Sequence, residues 1–490
     1  MDHLHLLPPF LKHESASKMS TQTEPTTDAS HTTGSAIAPV RLKEKLAYGV
    51  GDMGQSLVTS TVAAFALFYF TNVAGIGAAI AGTILLIGQL LNGVTDFVIG
   101  VLIDKTSTRW GKLRPWILFT AIPMGAVYVG IFTVPTGLND TGKVVWSIIM
   151  YSLLMAVFYT AANVAYGALV SVISADTKTR VSLSTFRFFA SILTSLVAST
   201  ATLPLVEALG NDQAAWTSTA GIYAVIAVTT ALVVFTGTRE RVVTNDSSRV
   251  GPKVPARTML RTLFRNRYFL WATVLFIMVN GLNGFIAAGA VYFANDVLGD
   301  ATLYGLLAIA SLLPTVAGIP LMPTLMGKFG RRPVMFVGFG LTVFGTAVVA
   351  IAPDSLPVLL VGLAIRGLGL VPFAVGSMPL LAEIADYGEW KYGLRLEGLT
   401  FSVSSLGFKI GTGLSAAVVG WLLAWGGYDA AASTQGESAR LAITAAYVYL
   451  PLVAGVLAIV VFLFLNVDRH RPQVEAHLEA TSAASPAAHA

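Results

Sequence analysis

"QLLNGVTDFVIGVLIDKTSTRWGKLRP", residues 89–115, poses the problem of this chain. Upstream of Lys105 the segment is apolar and runs unbroken from about Ala78 to Asp104, long enough to cross a bilayer as a helix. Yet Asp96 lies inside it, one helical turn from Asn92. A carboxylate buried in lipid costs about 3 kcal/mol or more unless it is paired, so Asp96 is either neutralised or used.

The composition agrees with a membrane helix. Of 490 residues 54% are hydrophobic and only 12% charged, with a mean hydropathy of +0.71. Soluble domains carry about twice that charge, so the chain is read as dissolved in lipid. The absence of cysteine excludes disulfides, thiolate metal sites and thiol nucleophiles. The net charge of +5 is spread in short clusters between apolar runs, which is a topology signal and excludes a nucleic-acid partner.

Apolar runs of spanning length fall near 46–73, 78–104, 114–135, 144–172, 184–208 and 217–237, then 268–295, 302–326, 333–353, 356–384, 396–424 and 441–466. The expected organisation is all-α and integral to the membrane. A polar tail (1–42) precedes a six-helix bundle (43–237); a basic central loop (238–267) leads to a second bundle (268–467) and a disordered tail (468–490). The stretch before Met19 reads as an upstream extension. Lys105, Arg109, Lys112, Arg114, Lys178, Arg180, Lys328, Arg331, Arg332, Lys391 and Arg395 occupy one set of loops, and the alternate loops are nearly free of Lys and Arg. The basic set is placed in the cytoplasm, together with both termini. "WGKLRPW" (110–116) and "FGRRPVM" (329–335) follow the second span of each half, as a transporter built from repeats would have them.

Few polar side chains interrupt the spans: Asp52 and Ser56 on the first, Asn92 and Asp96 on the second, Thr160 and Asn163 on the fourth, Arg187 on the fifth, Arg366 on the tenth and Lys409 on the eleventh. Asp96 is the candidate proton or cation site, with pairing to Lys409 as the structural alternative. Asp52, nearer the basic edge, is expected to cap or to pair with a local Lys or Arg. Asp104, Arg109 and Arg114, with Asp386 and Arg395, form the expected cytoplasmic gate. There is no Walker loop, and the His residues lie only in the tails. ATP-driven chemistry, a His-based metal site and a nucleophilic triad are thereby excluded, and an ion gradient remains as energy source.

"KLAYGVGDMGQS", "TSTRWGKLRPW", "NVAYGALV", "TRVSLSTFRFFAS" and "ADYGEWKYGLRLEG" resemble the signatures of the melibiose permease-like glycoside–pentoside–hexuronide:cation symporters, within the major facilitator superfamily. The resemblance spans residues 43–467. It implies cation-coupled uptake of a sugar or glycoside across the cell membrane by a single chain that needs no cofactor beyond a co-transported H⁺ or Na⁺. Of the family's two cation-site Asp on span two, the first falls on Asn92 and the second is kept as Asp96. On span four its Thr is kept as Thr160, its Asp falls on Asn163 and its Trp on Gly167. Its sugar-binding Asp of span one falls on Ser56, while Arg187 and Lys409 keep its Arg and Lys. Gln55 and Ser405 complete the expected substrate set of Ser56, Asn163, Arg187 and Lys409.

A single protonatable Asp96 suits H⁺ better than Na⁺, which wants several hard oxygens and more anionic charge. Arg187 and Lys409 outnumber the acids assigned to the pocket, which favours an acidic sugar; a neutral glycoside is the alternative, with Asp96 balancing Lys409. A drug/H⁺ antiporter shares the fold, but its pocket is expected to be apolar. A membrane enzyme or sensor lacks, respectively, a reactive constellation and a soluble domain here.

Overall fold

A computed structural model describes residues 40–174, 176–241, 256–394, 396–432 and 434–483. Among them twelve helices are long and apolar enough to cross a membrane, and no strand forms beyond one isolated bridge between Thr108 and Gly111. Spans 1–6 are Leu42–Val73, Ala78–Lys105, Arg114–Ile131, Asp140–Ile173, Lys178–Ala208 and Gln213–Gly237. Spans 7–11 are Arg267–Val297, Leu303–Phe329, Arg331–Ile351, Leu356–Tyr392 and Gly398–Trp425. Span 12 rises from Glu437 to Phe464 through a widened π turn at Ala445–Tyr449.

Within the first half, span 1 packs on spans 5 and 6, and span 3 on span 6; within the second, span 7 packs on 11 and 12, and span 10 on 8 and 9. Small residues let these backbones approach. A Cβ on Gly345, for example, would lie 2.5 Å from the Arg366 backbone nitrogen.

The halves meet along spans 2 and 11, 1 and 7, and 5 and 8. Their tightest contacts lie at the end remote from the basic loops. There a Cβ on Gly82 would stand 2.8 Å from the Ala416 carbonyl, the Thr71 and Tyr292 hydroxyls are 2.6 Å apart, and Tyr304 bonds Ser199 at 3.3 Å. Towards the basic end spans 5 and 8 splay around an apolar wedge of about 770 Å³ between Phe188 and Leu313, and Phe97 on span 2 is 79% exposed. The molecule is closed at one end of the seam and open at the basic end.

The turn after span 2 is held by a carboxylate from beyond span 6. Glu240 accepts from the backbone N–H groups of Lys112, Leu113 and Arg114 at 2.8–3.0 Å, at the N-terminus of span 3, where a helix favours negative charge. Gly111 has φ +106°, and a Cβ there would come within 2.4 Å of that carboxylate. The similar turn after span 8 is also tied from outside itself: Arg331 pairs with Glu383 and, at 3.2 Å, with Asp468 from beyond span 12.

Two expected irregular stretches are helical. The basic central connection carries a helix, Ala256–Arg265, whose Arg257, Arg261 and Arg265 recur every fourth residue. The final tail forms a short 3₁₀ turn at Val467–His470 and a helix at Arg471–Ala483, where Ala and Glu supply strong helix propensity. The N-terminal tail up to residue 39 and the central residues 242–255 lie outside the described part.

Candidate functional site

Asn92 and Asp96, four residues apart, share one face of span 2 and turn it towards span 11. Lys409 on span 11 is paired there with Asp96 and donates to the Asn92 carbonyl oxygen at 2.9 Å. Ser405, one turn away, donates to Asp96 Oδ2 at 3.2 Å. The pair thus joins the two halves. The lysine is buried, with 9% of its side chain exposed, while a third of the Asp96 side chain remains open.

Behind Asp96 a chain of polar groups fixes Asn92. The Thr160 hydroxyl lies 2.6 Å from Asn92 Oδ1, Asn92 Nδ2 donates to Gln89 at 3.3 Å, and Gln89 donates to the Tyr151 hydroxyl at 3.3 Å. Thr160 follows a π turn, Leu153–Tyr159, and its hydroxyl is also 2.8 Å from the Met155 carbonyl. The side-chain oxygen of Asn92 thus faces the Thr160 hydroxyl. Among the described residues no three His, Cys, Asp or Glu gather as a metal site.

These groups line a cavity of about 350 Å³ at the seam, within the size range of small-molecule sites. The first half contributes Asn92, Asp96, Tyr159, Thr160 and Asn163. The second contributes Asn280, Ser377, Ser404, Ser405 and Lys409, with Phe276, Phe373 and Phe408 as apolar walls. Polar groups spaced between aromatic faces suit a molecule that has both hydroxyls and C–H surfaces. Asn280 and Ser377 were not singled out from the sequence. Asn280 had a signal, an amide in the apolar run "FIMVNGLNGF", whereas Ser377 looks like any small packing residue.

Three expected substrate residues lie elsewhere. Arg187 is paired with Asp52 at 3.1 Å, spans 1 and 5 being brought side by side, and its guanidinium rests 4.9 Å over the Tyr166 ring. Tyr166 stacks on Tyr48 at 4.8 Å and donates to the Tyr48 carbonyl. Ser56 bonds Ser191 at 2.6 Å. Gln55 faces a narrow space inside the first half beside Thr120 and Ala227. None of the three is among the lining of the seam cavity. The expected surplus of positive charge also disappears, because Asp52 balances Arg187 as Asp96 balances Lys409. Arg366 is fully buried in the second half with Tyr447 as its aromatic neighbour at 5.6 Å, and it does not reach the cavity.

Of the expected gate residues, Asp104, Arg109 and Arg114 find their partners within the first half. Asp104 pairs with Lys112 of its own turn at 2.7 Å, Arg109 lies over Trp110, and Arg114 donates to the Phe235 carbonyl. All three serve the first half. Asp386 is partly buried near the basic end of span 10, and Arg395 lies outside the described residues.

A model of the MFS/sugar transport protein family matches residues 47–469. The chain belongs to this family. Among its relatives are the isoprimeverose transporter of Lactiplantibacillus pentosus, 35% identical over 446 residues (89% of this chain, 91% of the relative). The Escherichia coli inner membrane symporter YicJ is 30% identical over 86% of this chain and 90% of its own. The Escherichia coli glucuronide carrier protein homolog is 30% identical over 78% and 83%. These relatives place the family member among the glycoside–pentoside–hexuronide:cation symporters of the major facilitator superfamily. It is a multi-pass cell-membrane transporter and not an enzyme. The fold is shared with a crystal structure of a D-xylose-proton symporter, at a TM-score of 0.61 and 15% identity over 86% of this chain and 97% of that one.

Proposed function

We propose that this family member imports a neutral glycoside together with a proton, by alternating access, with its basic loops in the cytoplasm. The observation that carries the reading is the Asp96–Lys409 pair, which bridges the two halves at the wall of a charge-balanced cavity.

Protonating Asp96 removes the negative charge that holds Lys409, and the ammonium then needs another acceptor. A sugar hydroxyl in the cavity is placed to supply one, beside Ser405 and Asn163. Binding of proton and sugar thus support each other, since each relieves a cost left by the other. Release of both to the basic side restores the pair.

A proton fits the site better than Na⁺. Asn92 Oδ1 is already engaged by Thr160, and the Lys409 ammonium stands beside Asp96 where a metal cation would have to compete. A neutral cargo follows from the cancellation of Arg187 by Asp52. The relative named for isoprimeverose supports a sugar cargo, and the one named for glucuronide sets the acidic alternative.

The test is uptake of labelled neutral and acidic glycosides into vesicles under an imposed pH gradient, wild type beside Asp96→Asn. The expected result is uphill accumulation of a neutral glycoside that falls to mere equilibration in the variant. Accumulation of an acidic sugar alone overturns the neutral cargo. Strong stimulation by Na⁺ at fixed pH overturns proton coupling, and uphill transport by Asp96→Asn removes Asp96 from the coupling site.

A further inference from the structure

The closed end of the seam is built from two matching turns. Span 1 ends in a π turn, Tyr69–Val73, and span 7 ends in another, Phe293–Val297. Each closes with the same backbone bonds: Ala74 N–H to Tyr69 and Ile76 N–H to Phe70 in the first, Leu298 N–H to Phe293 and Asp300 N–H to Ala294 in the second. Each is followed by a glycine of positive φ, Gly75 at +73° and Gly299 at +80°. Asn72 and Asp296 occupy the same, fourth, position of the two turns.

One side chain ties these equivalent residues together. Tyr428, in the turn just after span 11, places its hydroxyl 2.8 Å from Asn72 Oδ1 and 3.4 Å from Asp296 Oδ2. The orientation of Asn72 is set, because its amide nitrogen donates to Thr71 Oγ1 at 3.0 Å and to the Phe68 carbonyl at 3.3 Å. Its carbonyl oxygen is left to receive Tyr428. The Tyr428 ring stands edge-on to Tyr292 at 5.3 Å, and Tyr292 in turn bonds Thr71 across the seam. Tyr428 and Asp296 belong to the second half and Asn72 to the first.

We propose that Tyr428 is the latch of the outer gate: its hydroxyl, standing beside Asp296 of its own half, gives its single proton to Asn72 of the other half, and the gate opens by breaking that bond. A latch of this kind is a positioning device for transport and touches neither sugar nor proton. It rests on the alternating-access reading, and on no particular cargo. Its loss leaves the interior of each half intact while tilting the balance between the closed and open outer end, by about fivefold for one net hydrogen bond.

The chain has no cysteine, so spin labels attach only where cysteines are introduced. One pair, Asn211→Cys with Asp354→Cys, reports the outer end; another, Ser107→Cys with Lys328→Cys, reports the basic end. All four positions are exposed. In Tyr428→Phe, which keeps the ring on Tyr292, the longer-distance population of the outer pair is expected to rise about fivefold. The basic-end pair is expected to shift to shorter distances at the same time. Distances in Tyr428→Phe equal to wild type overturn the latch, provided wild type itself exchanges between two populations when substrate is added. Broadening of both pairs without the reciprocal change also overturns it, because that is general loosening. If no variant and no substrate produces reciprocal distances, alternating access itself fails, and the latch falls with it.

Discussion

Asp52 with Arg187 and Asp96 with Lys409 are both carboxylate–cation pairs at membrane depth, but they join different things. The first links spans 1 and 5 within one half, with its cation laid on Tyr166 and its surroundings filled by Tyr48 and Tyr166. The second links span 2 to span 11 across the seam, on the wall of the cavity, with its acid a third exposed. A pair inside a rigid half can only hold that half together. A pair across a moving seam is made and broken by the motion, so its protonation state can be coupled to it. On the proposed mechanism, position relative to the seam, more than charge or depth, separates scaffold from coupling device.

The largest effect expected on this comparison is from Lys409→Met. Uphill accumulation in vesicles should fall more than tenfold, while thermal stability of the purified protein changes little, since the methionine fills the space and the Asp96 side chain is a third exposed. Next is Asp52→Asn, which leaves the Arg187 cation without its partner. Stability is expected to fall by roughly 1–3 kcal/mol, softened by the partial exposure of Arg187, with the accumulation ratio per folded carrier unchanged. Collapse of the ratio in Asp52→Asn would break the comparison, because the two pairs would then share one task. Smallest is Tyr166→Phe, which removes the bond to the Tyr48 carbonyl; a loss of about 1 kcal/mol, seen in melting and not in transport, sharpens the assignment of that cluster to the scaffold.

Much of this was legible in the chain, for physical reasons that can be named. Twelve spans follow from apolar length alone, and all twelve expected runs fall on helices, with most ends within a turn. Asp96 stood out because a carboxylate in lipid has few innocent explanations, and Lys409 was already weighed as its partner. That Asp52 would cap or pair with a local cation was expected, but Arg187 as its partner was not legible, because nothing in a sequence fixes the register of span 1 against span 5. Reading Arg187 as a sugar ligand followed from that gap, and so did the supposed surplus of positive charge. Tyr428 was hidden for another reason. It is an aromatic in a polar turn, a place where tyrosine is common, and only the pairing of two distant π turns gives it a role. Asn280 could have been found by the logic that found Asp96, since an amide in mid-span also needs a reason.

The seam between spans 2 and 11 is lined by Gly82, Ala416, Ala417 and Gly420, so that backbone rests almost directly on backbone. In mechanical terms it is a plain bearing and not a gear. Interdigitated side chains would have to unmesh before the halves could part, at the cost of a large activation enthalpy. At Gly82 and Gly420 such teeth are missing. On the proposed mechanism the resistance to switching then rests on a few polar contacts: the Asp96–Lys409 pair at the cavity, which proton and sugar reach, and the Thr71–Tyr292 and Tyr428–Asn72 bonds at the closed end, which part in response.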